Sequence, residues 1–170
     1  MQKLAQMNRP RDESLRRRRD AADRYKPAKV DLLLVAEAPP SSLDRYFYFT
    51  EVREHDSLFR YVCRVLLGRE PKRESKHEPL EELRDRGVFL IDLNETPMDG
   101  TPLATFVPAL VDRCRELTPN RIVLIKTTVF DAAQGALKSA GLPVSDVRVP
   151  FPGSGRQREF VDAFGRAIAK

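Results

Sequence analysis

The chain has 170 residues, 41% hydrophobic and 32% charged, with a net charge of +5 at pH 7, the composition of one globular domain large enough to bury a core. No apolar run approaches the ~18 residues that a membrane span needs, and the charged N-terminus lacks an apolar signal core, so a cytoplasmic protein is expected. With two cysteines and two histidines in all, a zinc or iron–sulfur centre has too few ligands, so neither a metal nor another cofactor is expected.

The positive charge is concentrated at one end. Residues 1–29 hold ten Lys/Arg against four Asp/Glu, whereas the remainder holds twenty against twenty-one. Residues 10–25 have no internal Gly or Pro and read as a polar helix stopped by Pro27. We therefore divide the chain into a basic helical arm, 1–27, and an α/β domain, 28–170. Arg16, Arg17, Arg18 and Arg19 suit contacts to phosphate backbones. A solvated helix face, with Asp12, Glu13, Asp20 and Asp23 interleaved, accounts for them equally well.

Val30 to Val35 is a short apolar run suited to a strand buried on both faces. It stops at Ala36-Glu37-Ala38-Pro39-Pro40, where two prolines break regular structure. The aromatic stretch Tyr46-Phe47-Tyr48-Phe49 follows, with the alternation of a half-buried strand. Leu58 to Leu66 carry helical spacing that ends at Gly68. A charged loop leads to a short helix near Leu80 to Arg86 and a second strand, Val88 to Ile91, running into Asp92-Leu93-Asn94. Leu103 to Leu117 has the cleanest amphipathic period, and Cys114 lies inside it, as Cys63 lies inside the preceding helix; both read as reduced core residues. Ile122 to Ile125, Val129 to Leu137, Val147 to Val149 and Glu159 to Ala169 complete the pattern as strand, helix, strand and helix.

Four apolar strands, each followed by a helix, predict a three-layer α/β/α fold around a four-stranded parallel sheet. Ligands of such sheets bind beyond the carboxyl ends of the strands, which selects the loops beginning at Ala36, Asp92, Lys126 and Pro150. None holds the Gly-rich cradle and lysine of a P-loop, so a nucleoside triphosphatase of that kind is disfavoured. Glu37 at a strand end, beside a rigid turn, suits holding a water or stabilising a cation; capping of the following segment is the plainer alternative.

Leu32-Leu33-Leu34-Val35-Ala36-Glu37-Ala38-Pro39 resembles the strand and loop of the uracil-DNA glycosylase superfamily, where an apolar strand precedes Gly-Glu-x-Pro-Gly. Glu37 and Pro39 match, and Ala36 and Pro40 replace the glycines. The resemblance implies a uracil-DNA glycosylase-like fold and hydrolysis of the N-glycosidic bond of uracil or another deaminated base, with DNA as the partner. It gives Glu37 the attacking water and puts Ala36 and Pro39 against the substrate. An aromatic ring stacks on the extruded base in that family; Phe47 and Phe49 are the candidates, Phe49 the preferred one, and core packing is the alternative.

Val88-Phe89-Leu90-Ile91-Asp92 is similar to the family's second strand, which often ends in an asparagine that reads the pyrimidine edge. Asp92 takes that place and Asn94 follows. The family's last loop commonly carries His-Pro-Ser or Asn-Pro-Ser, whose first residue donates to the base. Here Val149 or Phe151 precedes proline and neither can donate, while Phe151 can still touch the base. The turn Gly153-Ser154-Gly155 with Arg156 and Arg158 suits phosphate binding at a helix start, or is a plain helix-initiating turn. Two other functions fit the same sequence: a catalytically silent protein that binds DNA or a partner, and an enzyme on a small nucleoside-like substrate.

Overall fold

A computed structural model describes residues 2–52 and 56–169, with side chains for 9–52, 56–72 and 74–169. Nine elements position the site. They are α1 (Gln2–Arg24), β1 (Leu32–Ala36), α2 (Ser57–Leu67), α3 (His77–Asp85), β2 (Val88–Asp92), α4 (Val107–Leu117), β3 (Arg121–Leu124), α5 (Thr127–Ser139) and α6 (Gln157–Ile168). The parallel sheet has the order β2-β1-β3. Its register runs from Leu32 opposite Val88 to Ala36 opposite Asp92, and from Leu32 opposite Arg121 to Val35 opposite Leu124.

The sheet interior is why the strands read as unbroken apolar runs. Leu33, Leu34, Val35, Ile122, Val123 and Leu124 are completely buried, each contributing roughly 1.5–3 kcal/mol of transfer free energy if it is a large side chain. Helices cover the sheet: Val62 and Cys63 of α2, Leu110 and Cys114 of α4, Val129 and Leu137 of α5, and Phe160 and Phe164 of α6 are all buried. Asp56 caps α2 by accepting from Phe59 N at 3.1 Å, and Gly68 ends it in the left-handed region at φ 70°.

The described sheet has three strands, not four. Residues 144–149 pair with β3 and with the residue that follows it through two isolated parallel bridges, Ile122 with Val144 and Ile125 with Val149. Between the bridges the Val147 N–H turns to the Ser145 hydroxyl at 3.1 Å. That local bond diverts the main chain from the ladder.

The basic arm is docked on the domain. Ala21 and Tyr25 belong to the core, and the Tyr25 hydroxyl lies 2.6 Å from His77 Nδ1. Arg11 pairs with Asp99 and Arg19 with Glu95, both at 3.0 Å. The aromatic stretch covers the exposed edge of β2: the Tyr48 hydroxyl accepts from Leu90 N at 2.7 Å and donates to Leu90 O at 3.0 Å. A side chain thus satisfies the ladder groups that a partner strand would otherwise take.

Candidate active site

The ends of the strands bring the loops together. Pairing continues past β1 and β2, with Leu93 N donating to Ala36 O at 2.8 Å and Asn94 N to Glu37 O at 2.9 Å. On the other flank, Ile125 N donates to Val35 O at 2.8 Å and Lys126 N to Val149 O at 2.9 Å. Glu37 and Lys126 therefore leave the sheet at one level, with Asp92 one residue earlier, opposite Ala36, and residues 149–151 alongside. They line a cavity of about 170 Å³ shared with Ala36, Pro39, Tyr46, Phe47, Asp56 and Phe151.

Glu37 holds the centre. Lys126 Nζ donates to Oε1 at 2.7 Å and Thr128 Oγ1 donates to Oε2 at 2.6 Å. Burial pushes the carboxyl pKa up, but these two hydrogen bonds and the Lys126 charge outweigh it and hold the group below its ordinary value. Each oxygen keeps acceptor capacity for a water. Lys126 itself sits at φ 86°, ψ 134°, backbone that is nearly reserved for glycine and costs about 1–3 kcal/mol in other residues.

Asp92 is different. It is 8% exposed. Burial, and then the nearby Asp56 charge, push it up to about 7, against the pull of Arg113 and Arg18. The Arg113 guanidinium is spent on the main chain, donating to Asp92 O at 2.9 Å and Leu93 O at 3.1 Å. Near neutral pH Asp92 is part-protonated and presents a donor and an acceptor, as an amide does.

The two candidate rings part company. Phe47 lines the cavity and is held edge-to-face by Tyr48 at 5.0 Å and Phe59 at 5.3 Å. Phe49 does not reach the cavity. It packs on Tyr46 at 5.0 Å beneath the Arg17 guanidinium at 5.3 Å, in a groove along α1. Residues 46–49 form a turn closed by Phe49 N to Tyr46 O at 3.1 Å, not a strand, so alternate side chains do not share a face. Phe151, 39% exposed, stands at the cavity mouth. A Cβ on Gly153 would come within 3.0 Å of the Phe151 ring.

Asn94 is occupied elsewhere. Its Oδ1 accepts from Thr96 N at 3.0 Å and Thr96 Oγ1 at 2.9 Å, tying the loop, while its buried Nδ2 has no partner. The turn at 153–155 is as irregular as its glycines suggest, with Ser154 at φ 53° and Gly155 at φ 81°. Arg156 pairs with Glu159 at 2.6 Å, and both Arg156 and Arg158 are exposed.

The arginine run is not one phosphate-contacting stripe. Successive helical residues point about 100° apart, and the four side chains have four fates. Arg16 is exposed in the α1 groove, Arg17 covers Phe49, and Arg19 pairs with Glu95. Arg18 is 3% exposed, donates to Pro40 O at 2.9 Å and leaves its Nε without a partner.

Tyr46 and Asp56 join the cavity without having been singled out from the sequence, and Lys126, marked there as the start of a strand-end loop, joins it as a side chain. Among the described residues, no group of three or more His, Cys, Asp or Glu is arranged to hold a metal ion, and no helix is long and apolar enough to cross a membrane. No protein-family model matches the chain, and no curated protein does.

Proposed function

We propose that the strand-end cavity takes a single nucleobase and hydrolyses its N-glycosidic bond, with uracil or another deaminated base in DNA as the substrate. The observation that carries this reading is the convergence of Glu37, Asp92, Phe47 and Phe151 on one cavity. Its volume of about 170 Å³ lies below the ~300–1,000 Å³ of pockets for drug-sized ligands and suits one flat ring. The same reading takes the fold as uracil-DNA glycosylase-like, with residues 144–149 as a reduced fourth strand.

In this proposal the base leaves the stack, at a cost of a few kcal/mol, and enters between Phe47 and Phe151. Asp92 meets its hydrogen-bonding edge. As the bond to C1′ breaks, the ionised Glu37 faces the developing oxocarbenium ion and orients the water that adds to C1′. The anchoring of Glu37 by Lys126 and Thr128 keeps that carboxylate charged and in place.

A second reading has one observation in its favour. Arg17, Arg18 and Arg19 are engaged within the molecule, which reduces the cationic surface available to a duplex and favours a free nucleoside as substrate.

An oligonucleotide panel bearing uracil, hypoxanthine or xanthine, single- and double-stranded, tested beside the free nucleosides, decides between them. Abasic sites that form with the native protein and vanish in Glu37→Ala support the DNA glycosylase. Base release from nucleosides alone supports the second reading. Binding of DNA without cleavage of any substrate would replace both with a silent binding protein.

A further inference from the structure

Resting on the reading just given, we propose that Lys126 is the residue that stabilises the departing base, the part left vacant by the absence of a donor at Val149 and Phe151. Three observations lead there. The Lys126 ammonium lines the same cavity as Asp92 and Phe151. It is fixed by Glu37 at 2.7 Å yet remains 40% exposed, so that one of its three N–H bonds is committed and the others are open to a ligand. Its backbone occupies φ 86°, ψ 134°, where a glycine would be free of strain. A strained non-glycine residue in a cleft is a sign that its side chain is needed there.

The remaining walls of the cavity narrow the choice. Glu37, Asp56 and Asp92 are acids, and Tyr46, Phe47 and Phe151 are aromatic; Lys126 is the cation among the described residues that line it. A base leaving as an anion needs positive charge or donors at its carbonyl oxygen. The electron pair of the C1′–N bond stays on the base, where Lys126 donates to the oxygen that gathers the charge. Water gives its hydroxyl to C1′, and its proton passes through Glu37 to solvent while the released base takes one up. The Lys126–Glu37 pair thus faces both halves of the separating charge, cation towards the base and carboxylate towards the sugar.

The test combines rates with binding of free bases. Single-turnover cleavage of oligonucleotides containing uracil and its more acidic 5-fluoro and 5-nitro forms is compared in the native protein, Lys126→Met and Lys126→Gly. Lys126→Met is expected to lose about 10²–10³-fold on uracil and progressively less as the base becomes a better leaving group. Lys126→Gly is expected to lose as much while melting a few degrees above Lys126→Met, because both lose the pair with Glu37 and only glycine relieves the backbone strain, which separates the lost charge from any folding defect. Free 5-nitrouracil, titrated calorimetrically above and below its pKa, reports on the anion directly: its preference over the neutral form drops roughly tenfold or more in Lys126→Met.

An equal loss on all three leaving bases, or an unchanged anion preference, overturns the role of Lys126 even if the protein is a glycosylase. Loss of the anion preference in a protein that cleaves no substrate leaves Lys126 as the anion contact and removes the glycosylase. Absence of any base binding by the native protein overturns both.

Discussion

Glu37 and Lys126, 89 residues apart in the chain, meet at 2.7 Å across the carboxyl ends of β1 and β3. The parallel register puts them there: Val35 lies opposite Leu124, so the side chains that follow each strand emerge side by side. The pair keeps an anion ionised inside a cleft and keeps a cation beside it.

That pair has a pH signature. The folded-state pKa of Glu37 is depressed, so its stabilisation is present above the ordinary carboxyl value and is lost as pH falls through the folded one. Glu37→Gln is expected to lower stability by about 1 kcal/mol at pH 7. Denaturation midpoints of the two proteins should converge as pH falls below the ordinary carboxyl range and through the folded-state value. A constant difference down to pH 2 would show that the loss is one of packing.

Asp92 has the opposite sign. Its carboxyl is raised from 3.8 to about 7, so the native state binds more protons than the unfolded chain between those values and stability falls as pH rises through them. Asp92→Asn is expected to be more stable than the native protein at pH 8, by about 1–3 kcal/mol, and to lose that advantage near pH 4. Urea unfolding at the two pH values measures it. On the proposed function, base release by the native protein declines above about pH 7 as the donor is lost, whereas Asp92→Asn shows no such decline.

Lys76 supplies a third titration. It is 3% exposed, donates to Tyr46 O at 2.6 Å and lies 4.6 Å from the centre of the Phe59 ring. Burial lowers it to about 8, below the unfolded value of about 10.5. Between the two the unfolded chain binds the extra proton, so this group makes stability rise with pH. Lys76→Met is expected to stabilise the protein by about 1 kcal/mol at pH 6, with a smaller gain at pH 10. Tyr46 O still accepts from Phe49 N at 3.1 Å in that variant, so no carbonyl is stranded. A destabilised variant at both pH values would show that the ammonium contacts outweigh desolvation.

Gly153 separates the cavity mouth from the fold. An added Cβ meets the Phe151 ring at 3.0 Å, and that ring is exposed enough to swing aside. Gly153→Ala should therefore stay within about 0.5 kcal/mol of the native stability while weakening binding of a free base by several-fold. Calorimetric titration with uracil, set beside thermal melting, reads both effects. A large fall in melting temperature would instead make Phe151 part of the packing.

Much of this site was legible because the relevant signals are local. The apolar run that ends at Ala36 announces a buried strand, and Pro39 and Pro40 announce its break, so Glu37 falls at a strand end by inspection. The same holds for Asp92 after Val88–Ile91, and even for the loop that opens with Lys126. The helix stop at Gly68 sits where the sequence puts it.

Tertiary structure alone decided which of those strand-end residues touch. The choice of Phe47 over Phe49 depended on a four-residue turn that has the composition of a strand. The inward turn of Arg18 depended on how α1 lies on the sheet edge, and the loss of the fourth strand on one Ser145 hydroxyl competing for a main-chain N–H. Periodicity encodes which face of an element is apolar. It carries no information about the partner across a sheet or the exit angle of a loop, because those follow from contacts between residues far apart in the chain.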